Sequence, residues 1–333
     1  MAALRYGYVE VCQVRQAVVE QRRTLSLVVP VFNEEAAIGP FLSAFAGVLA
    51  LVEARGIRVE LLFVDDGSKD GTLAALTAAM VQDPRIRVLE LSRNFGKEAA
   101  LTAGLDAARG EALIPIDVDL QDPPQVILQL IDAWEQGYEV VVGHRTDRAS
   151  DSLLKRASAG WFYRIVNAVA DTPVPENVGD FRLIDRCVAE ALKRLPERRR
   201  FMKGLFAWVG FRTAVVDYQR APRIAGSTKF SGWKLWNLAL EGITSFSTAP
   251  LRLWTYVGAL VAVLAFFYAL YIVFRVLWLG VDLPGYASLL VAVLFLGGIQ
   301  LIGIGVLGEY LGRVYTEVKQ RPTYIVRREH GGR

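Results

Sequence analysis

Two aspartates, Asp117 and Asp119, follow the apolar stretch 113–116 and are separated by one residue. In an extended chain alternate side chains point to one face, so both carboxylates would lie side by side. Two carboxylates held so close repel each other, and a hard divalent cation is the usual reason to tolerate them. Gln121 adds a neutral oxygen on the same face, and this set suits Mg²⁺ or Mn²⁺ better than Zn²⁺. The alternative for a lone Asp-x-Asp is a solvated acidic turn.

Strand-like and helix-like patterns alternate over the first half of the chain. Apolar residues recur at helical spacing from Phe41 to Leu49, which predicts a helix between two short apolar segments. Such alternation is typical of an α/β domain with a mostly parallel sheet. We therefore predict strands over residues 25–31, 59–64, 86–91, 113–116 and 138–145.

Polar residues follow several of these strands, at the edge where parallel sheets bind ligands. They are Asn33, Glu34, Asp65, Asp66, Asp117, Asp119 and Arg145. Because the carboxyl ends of parallel strands meet at one edge, the sequence predicts a site there. The turns lack the glycine fingerprint of dinucleotide sites. The one Gly-x-Gly-x-x-Gly match, 303–308, lies inside an apolar run, where close helix packing explains the glycines better.

The composition argues against several classes of site. Cys12 and Cys187 are the only cysteines and lie far apart in sequence, so we expect neither a disulfide framework nor a zinc site. His144 and His330 are the only histidines, which argues against histidine-based metal or triad chemistry. The net charge is +4, yet no block of Lys and Arg resembles a nucleic-acid patch. We therefore expect a membrane surface or phosphorylated substrates as partners, and no nucleic acid.

Two apolar runs in the last third of the chain predict a transmembrane hairpin. Residues 253–279 and 287–307 each reach the ~20 residues that span hydrocarbon, and the loop 280–286 joins them. Basic residues flank the outer ends of the two runs, while the only charged residue of the loop is Asp282. The front of the chain lacks the apolar core of a signal peptide. The positive-inside rule then places both termini and the α/β domain in the cytoplasm, at the inner (plasma) membrane.

Five motifs in the chain resemble those of the family-two glycosyltransferases: Val29–Glu34, Val64–Ser68, Asp117–Pro124, Gly143–Arg145 and Gly179–Leu183. More narrowly, the chain is similar to the polyprenyl-phosphate glycosyltransferases, which are relatives of dolichol-phosphate mannose synthase. The hairpin and the segment 308–313 resemble the bacterial undecaprenyl-phosphate glucosyltransferase (GtrB-like) branch. The resemblance covers roughly residues 24–328 and implies a GT-A type nucleotide-sugar-binding domain.

The resemblance also implies roles for individual residues. Asp117, Asp119 and Gln121 would hold Mg²⁺ or Mn²⁺, and Asp119 and Asp180 would be the catalytic residues. Asp180 would lie at the anomeric carbon, as a base or as an orienting group. The nucleotide-sugar would contact Pro30, Phe32, Glu34, Asp66 and Asp117. The lipid phosphate would be held by Arg145, Arg182, Arg223, Ser227 and Lys229, with help from Lys155 and Arg156.

The implied activity is an inverting, metal-dependent sugar transfer from UDP-glucose or a related UDP-hexose to undecaprenyl phosphate. The motifs do not identify the sugar. One alternative is a processive polysaccharide synthase, whose Gln-x-x-Arg-Trp motif is absent. Another is a non-catalytic membrane scaffold or flippase partner, although such a protein has no reason to keep crowded carboxylates.

These expectations divide the chain into five segments. They are an N-terminal extension (1–24), a cytoplasmic catalytic domain (25–232), an interfacial helix (233–252), the transmembrane hairpin (253–312) and a cytoplasmic basic tail (313–333). Basic and aromatic residues mix over 153–169, and 234–246 carries aromatic residues on one side, which predicts amphipathic helices at the membrane surface. The alternative for each segment is an ordinary surface helix. Gly308 and Gly312 permit close helix contacts, so the sequence is compatible with a homo-oligomer.

Overall fold

The fold is built on a sheet whose strands are mostly short apolar segments, as expected of strands covered on both faces. The computed structural model describes residues 23–146, 178–198, 200, 202–219, 249–279 and 285–331. Within these residues the strands form one eight-stranded sheet. They are β1 (Thr24–Val31), β2 (Arg58–Asp65), β3 (Ile86–Leu91), β4 (Ala112–Pro115), β5 (Val140–Arg145), β6 (Val178–Asp185), β7 (Thr213–Tyr218) and β8 (Val326–His330).

The strand order is β7-β5-β6-β4-β1-β2-β3-β8. The pairs β1–β2, β1–β4, β2–β3 and β5–β7 are parallel. Only β6 and β8 run antiparallel to their neighbours in this sheet, as far as the structure describes it. All five predicted strands are present, with ends shifted by two residues at most. The prediction of an α/β domain with a mostly parallel sheet is therefore confirmed.

Helices cover both faces of the sheet. They are α1 (Glu35–Ala54), α2 (Thr72–Gln82), α3 (Lys97–Ala107), α4 (Val126–Glu135), α5 (Arg186–Lys193) and α6 (Met202–Trp208). Successive strand residues point to opposite faces, so Leu27 and Val29 pack with α1 and α4, whereas Val28 packs with α3 and α5. A Cβ at Gly104 would collide with Val28, so the missing side chain lets α3 approach the sheet closely.

Neither β6 nor β8 is among the predicted strands. β6 lies between β4 and β5 and pairs antiparallel with β4, with Ala112 opposite Asp185. Because β6 runs the other way, its first residues reach the edge where β4 ends. β8 pairs antiparallel with β3, with Val88 opposite His330. The chain that follows the apolar hairpin therefore returns to the edge of the sheet.

The C-terminal hairpin consists of two long helices, α7 (Ala249–Leu279) and α8 (Tyr286–Val318). Both contain a stretch long and apolar enough to cross a membrane, as does α1. In α1, however, Phe41 and Phe45 are fully buried against the sheet, so that helix belongs to the domain core. A Cβ at Gly303 would collide with Trp254, which supports helix packing as the reason for this glycine.

Several predictions concern residues outside the described part of the chain. These are nearly all of the extension 1–24, the amphipathic helices at 153–169 and 234–246, and the hairpin loop with Asp282. The segment boundaries stay predictions. So does the homo-oligomer. Apart from the backbone of the same helix, no described atom lies within 4 Å of a Cβ built on Gly308 or Gly312.

Candidate active site

A cleft of about 350 Å³ opens where β1, β2 and β4 end. This volume lies within the range of small-molecule sites, at the edge where such sheets bind ligands. Among the lining residues are six that the family resemblance implies: Pro30, Phe32, Glu34, Asp66, Asp117 and Asp119. The lining also includes Val31, Asn94, Gly96, Lys97, Ala100 and Val118.

Hydrogen bonds tie the loop after β1 to the loop after β2. The N–H of Asn33 donates to Ser68 Oγ at 2.9 Å, and Asn33 Oδ1 accepts from the N–H of Lys69 at 2.8 Å. The N–H of Glu34 donates to Thr72 Oγ1 at 2.9 Å. Asn33 takes a φ of 54°, the left-handed region that most residues avoid. These bonds fix the position of the loop that contains Phe32 and Glu34, and so hold both residues at the cleft.

Asp66 connects the cleft to the start of α3. Asp66 is only 2% exposed. Oδ1 accepts from the N–H of Phe95 at 2.7 Å and Oδ2 from the N–H of Gly96 at 2.8 Å. Burial raises the pKa of Asp66, and these two N–H groups oppose the increase. Each carboxylate oxygen has a second lone pair, so Asp66 can still accept from a ligand.

The turn that carries the predicted metal ligands has an unusual backbone. Leu120 takes a φ of 56°, which is strained for a bulky residue. The N–H of Gln121 donates to Asp119 Oδ1 at 3.2 Å. The side-chain oxygen of Gln121 is buried and has no hydrogen-bond partner among the described residues, which is costly unless a ligand or ion meets it.

This donor set fits a hard divalent cation. The carboxylates of Asp117 and Asp119 and the Gln121 oxygen are the ligand types that Mg²⁺ and Mn²⁺ prefer. Among the described residues, no group of three His, Cys, Asp or Glu side chains is placed to hold a metal ion. A cation here would therefore need Gln121, water or substrate phosphate oxygens to complete its ligands.

Lys97 is a residue of this site that the family resemblance does not imply. Its Nζ lies 2.7 Å from Asp117 Oδ1 and 3.1 Å from Asp180 Oδ2. Burial alone would lower the pKa of Lys97, but the two carboxylates outweigh burial and raise it, so the ammonium stays charged. The sequence could have indicated this residue, because the segment 94–97 follows the third predicted strand just as the other polar residues follow theirs.

Asp180 reaches the site because of the direction of β6. As the third residue of that strand, it lies near the end of β4, where Lys97 links it to Asp117. No described contact joins it directly to a predicted metal ligand. The ammonium of Lys97, which contacts both carboxylates, thus links Asp180 to Asp117 at the cleft.

Two arginines near Asp180 differ in their surroundings. Arg145 donates from Nε to the hydroxyl of Tyr218 at 3.2 Å, and its side chain is partly exposed. Arg182 is only 4% exposed; it donates to the Gly179 carbonyl at 2.8 Å, and its guanidinium lies 4.1 Å from the ring centre of Phe206. Burial lowers the pKa of Arg182 to about 10, although nearby carboxylates oppose this.

The remaining residues assigned to the lipid phosphate lie outside the described part of the chain. They are Arg223, Ser227, Lys229, Lys155 and Arg156. Their proximity to Arg145 and Asp180 therefore stays a prediction.

The fold and the two apolar helices match two family models in the same order. The model for glycosyl transferase family 2 matches residues 26–193, and the model for the GtrB C-terminal hairpin matches residues 249–314. The chain belongs to glycosyl transferase family 2. It is a glycosyltransferase of the GT-A type that carries a C-terminal hairpin typical of membrane association, as predicted.

Similar proteins narrow this class. The chain is 56% identical over 308 residues to the SfII prophage-derived bactoprenol glucosyl transferase of Shigella flexneri, covering 92% of this chain and 99% of that protein. It is also 56% identical over 304 residues to the prophage bactoprenol glucosyl transferase homolog of Escherichia coli K12, covering 91% and 98%. The solved mannosyltransferase PcManGT from Pyrobaculum calidifontis, in complex with GDP-Man and Mn²⁺, is 19% identical, covers 66% of this chain and 61% of its own, and has a TM-score of 0.44. A similarity of that size says nothing about the ligands of this chain.

Proposed function

We propose that this protein transfers a sugar from a UDP-hexose, with UDP-glucose as the first candidate, to undecaprenyl phosphate at the cytoplasmic face of the membrane. One observation carries the proposal: the carboxylates of Asp117 and Asp180 and the cation of Lys97 meet at a cleft in a chain with a two-helix apolar hairpin. The near full-length similarity to bactoprenol glucosyl transferases supports the choice of acceptor.

The nucleotide end of the donor would occupy the cleft. Phe32 is exposed there and offers an apolar face to a base or ribose. Glu34 and Asp66 accept hydrogen bonds and suit ribose hydroxyls and a uracil N–H. Pro30 would shape the wall beside them, and Asp117 would lie at the diphosphate end.

Asp117, Asp119 and Gln121 would hold Mg²⁺ or Mn²⁺. When bound, such an ion supplies positive charge against the charge that develops on the leaving diphosphate. Lys97 provides a second cation at the same place, already in contact with Asp117. Two anionic substrates repel each other, so cationic groups are needed to gather them.

Sugar transfer would be a single displacement with inversion. An acceptor phosphate oxygen forms a bond to the anomeric carbon as the bond from that carbon to the diphosphate oxygen breaks, and the electron pair leaves with UDP. Arg145 would hold the acceptor phosphate, and Lys229, Arg223, Ser227, Lys155 and Arg156 are further candidates. Asp180, held by Lys97, would orient the acceptor.

The direct test uses purified protein, undecaprenyl phosphate, Mn²⁺ or Mg²⁺, and a panel of radiolabelled sugar nucleotides. We expect label in a chloroform-soluble lipid with UDP-glucose, and none with the Asp119→Asn variant. Label in a water-soluble polymer would instead favour the polysaccharide synthase. No transfer with any donor, although the protein is folded, would favour the scaffold alternative.

A pH comparison tests the role of Asp180. A phosphate monoester has a second pKa of about 6, so the acceptor is largely a dianion near neutral pH and leaves little proton for a base to remove. We expect Asp180→Asn to lose activity equally at pH 6 and pH 8.5, with donor and metal saturating. Recovery of the variant at pH 8.5 would show that Asp180 acts as a base instead.

A reporter experiment tests the membrane topology. We expect a reporter inserted at Asp282 to lie outside the cytoplasm and one fused after Arg333 to lie inside. Finding both reporters on the same side would rule out a spanning hairpin with cytoplasmic ends.

A further inference from the structure

A buried tyrosine joins the predicted metal turn to the arginine proposed for the acceptor phosphate. Tyr218, the last residue of β7, and Asp122, which follows Gln121, are each 5% exposed. The Tyr218 hydroxyl donates to Asp122 Oδ1 at 2.5 Å and accepts from Arg145 Nε at 3.2 Å. Arg145 Nη2 also lies 3.8 Å from Asp122 Oδ1. The hydroxyl thus stands between a buried carboxylate and a guanidinium.

The position of the Tyr218 ring is set by its neighbours. Arg145 and Tyr218 are direct partners in the parallel pair β5–β7. The ring meets Phe181 edge to face, with ring centres 5.6 Å apart. A Cβ at Gly143 would lie 2.8 Å from the ring, so only glycine leaves it room. Burial raises the pKa of Tyr218 to about 12, and the hydroxyl therefore keeps the proton that it donates.

The Arg145 guanidinium lies over the start of β6. A Cβ at Gly179 would come within 2.5 Å of Arg145 Nη2, so this glycine makes room for the guanidinium. Asp180 is the next residue, and its carboxylate is among the charges that favour the charged form of Arg145. A long arginine side chain has many rotamers, and a contact at Nε selects among them while the Nη atoms stay able to meet an anion.

We propose that Tyr218, supported by Asp122, is a positioning residue that fixes the Arg145 guanidinium for the phosphate of the acceptor. The proposal rests on the proposed function for the identity of that acceptor. Because Asp122 belongs to the same turn as Asp119 and Gln121, the contact also ties the acceptor arginine to the predicted metal site. Tyr218 itself need not touch either substrate.

The test variant is Tyr218→Phe, which keeps the ring and its packing but removes the hydroxyl. We expect KM for undecaprenyl phosphate to rise about tenfold, the fold-change that corresponds to one lost hydrogen bond to a charged group. We expect kcat and KM for the sugar nucleotide to change little. An unchanged acceptor KM would overturn the proposal.

Tyr324→Phe is the matched control. The Tyr324 hydroxyl donates to Asp106 Oδ2 at 2.8 Å, so this variant loses the same type of bond at a site away from the cleft. We expect both variants to lower Tm, and only Tyr218→Phe to raise the acceptor KM. Equal rises in KM in the two variants would indicate a general loss of stability and would overturn the positioning role.

Two further measurements make the result specific. In an Arg145→Lys background, Tyr218→Phe should add little to the acceptor KM, because the guanidinium that it positions is gone; a full additional tenfold rise would contradict the proposal. Binding of farnesyl phosphate, followed by tryptophan fluorescence, needs no turnover. We expect Tyr218→Phe to weaken it and Tyr324→Phe to leave it unchanged. If the wild type transfers no sugar, the proposed function fails, while this binding comparison still decides the role of Tyr218.

Discussion

The two ends of the sheet hold acidic side chains in different ways. At the amino end, Glu60 of β2 is buried and accepts from the side chains of Ser26 and Arg87, and from the N–H of Arg109 at 3.0 Å. At the carboxyl end, Asp117 and Asp180 share the ammonium of Lys97 beside an open cleft, and their side chains stay partly exposed. The first group is enclosed by protein donors, and the second faces space for a ligand.

This difference separates a stabilising acidic residue from a functional one. A buried carboxylate is tolerated when protein donors surround it, and then it serves the fold. Asp117 and Asp180 converge on a cleft, and the Gln121 oxygen in the turn that also carries Asp119 has no hydrogen-bond partner among the described residues; both features point to a ligand or cation. We therefore expect removal of the buried Glu60 charge to alter stability at constant KM, and changes of the carboxylates that face the cleft to alter activity at constant Tm.

The largest effect is expected for Asp119→Asn, which keeps the shape but removes a charged ligand. Turnover should fall by more than about 100-fold, since even groups that only orient metal ligands contribute 10- to 100-fold. In the wild type we expect Mn²⁺ to raise the affinity for UDP, and in the variant we expect no such increase. Tm should stay within a degree or two of the wild type. The control is Asp132→Asn, an exposed carboxylate paired with Arg55. Near-normal activity of Asp119→Asn would refute the metal assignment.

Glu60→Gln should give the largest loss of stability. The change removes the charge that faces the buried Arg87, and breaking such a pair costs about 3 kcal/mol or more. A lower Tm at unchanged KM for both substrates is the expected result. Glu135→Gln, whose carboxylate forms an exposed pair with Arg23, should change Tm little. A changed KM in Glu60→Gln would mean that the two ends of the sheet are coupled.

Lys97→Met tests whether the ammonium shared by Asp117 and Asp180 is needed for turnover. Without the ammonium, Asp180 loses its ion pair with Lys97, and turnover should fall by about 10- to 100-fold. Binding of Mn²⁺ alone, measured as free Mn²⁺ by electron paramagnetic resonance, should become tighter because a competing positive charge is removed from Asp117. Lys193→Met, a lysine paired with Glu190 on α5, controls for the loss of net charge. Weaker Mn²⁺ binding would show that Lys97 supports the metal site instead.

The sequence predicted the parts of the fold and site that depend on local pattern. The position of Asp66, Asp117 and Asp119 at one cleft could be predicted because polar residues at the ends of apolar strands must converge when those strands are parallel. Lys97 follows the same rule, but a single lysine at a helix start carries no distinguishing pattern. Its importance depends on the distance to Asp117 and Asp180, which only the folded chain provides.

The two unpredicted strands show a different limit. The segment 178–185 mixes apolar residues with Asp180, Arg182 and Asp185, and no local pattern in it indicates that β6 runs antiparallel between β4 and β5. β8 lacks an apolar run altogether: its residues are Val326, three charged residues and His330. Its affinity for the sheet edge comes from partners distant in sequence, such as the pair between Glu329 and Arg87.

The smallest effect is expected for Glu329→Gln, which tests how far the amino-end cluster depends on β8. Glu329 Oε1 lies 2.6 Å from Arg87 Nη2 and 3.5 Å from Arg109 Nη2, but its side chain is 41% exposed. Glu60 would still face Arg87 in the variant. Because water reaches the Glu329 carboxylate and screens its charge, we expect its loss to cost at most about 1 kcal/mol, equivalent to about 2–4 °C in Tm for a domain of this size.

Glu53→Gln provides the matched control, because the Glu53 side chain is 42% exposed and pairs with Arg85 at 3.1 Å. Similar small decreases in Tm for the two variants would indicate that the buried part of the cluster lies between Glu60 and Arg87. A decrease for Glu329→Gln as large as that for Glu60→Gln would contradict this view. Arg87 would then depend equally on both glutamates, and β8 would hold the amino end of the sheet together rather than cover its edge.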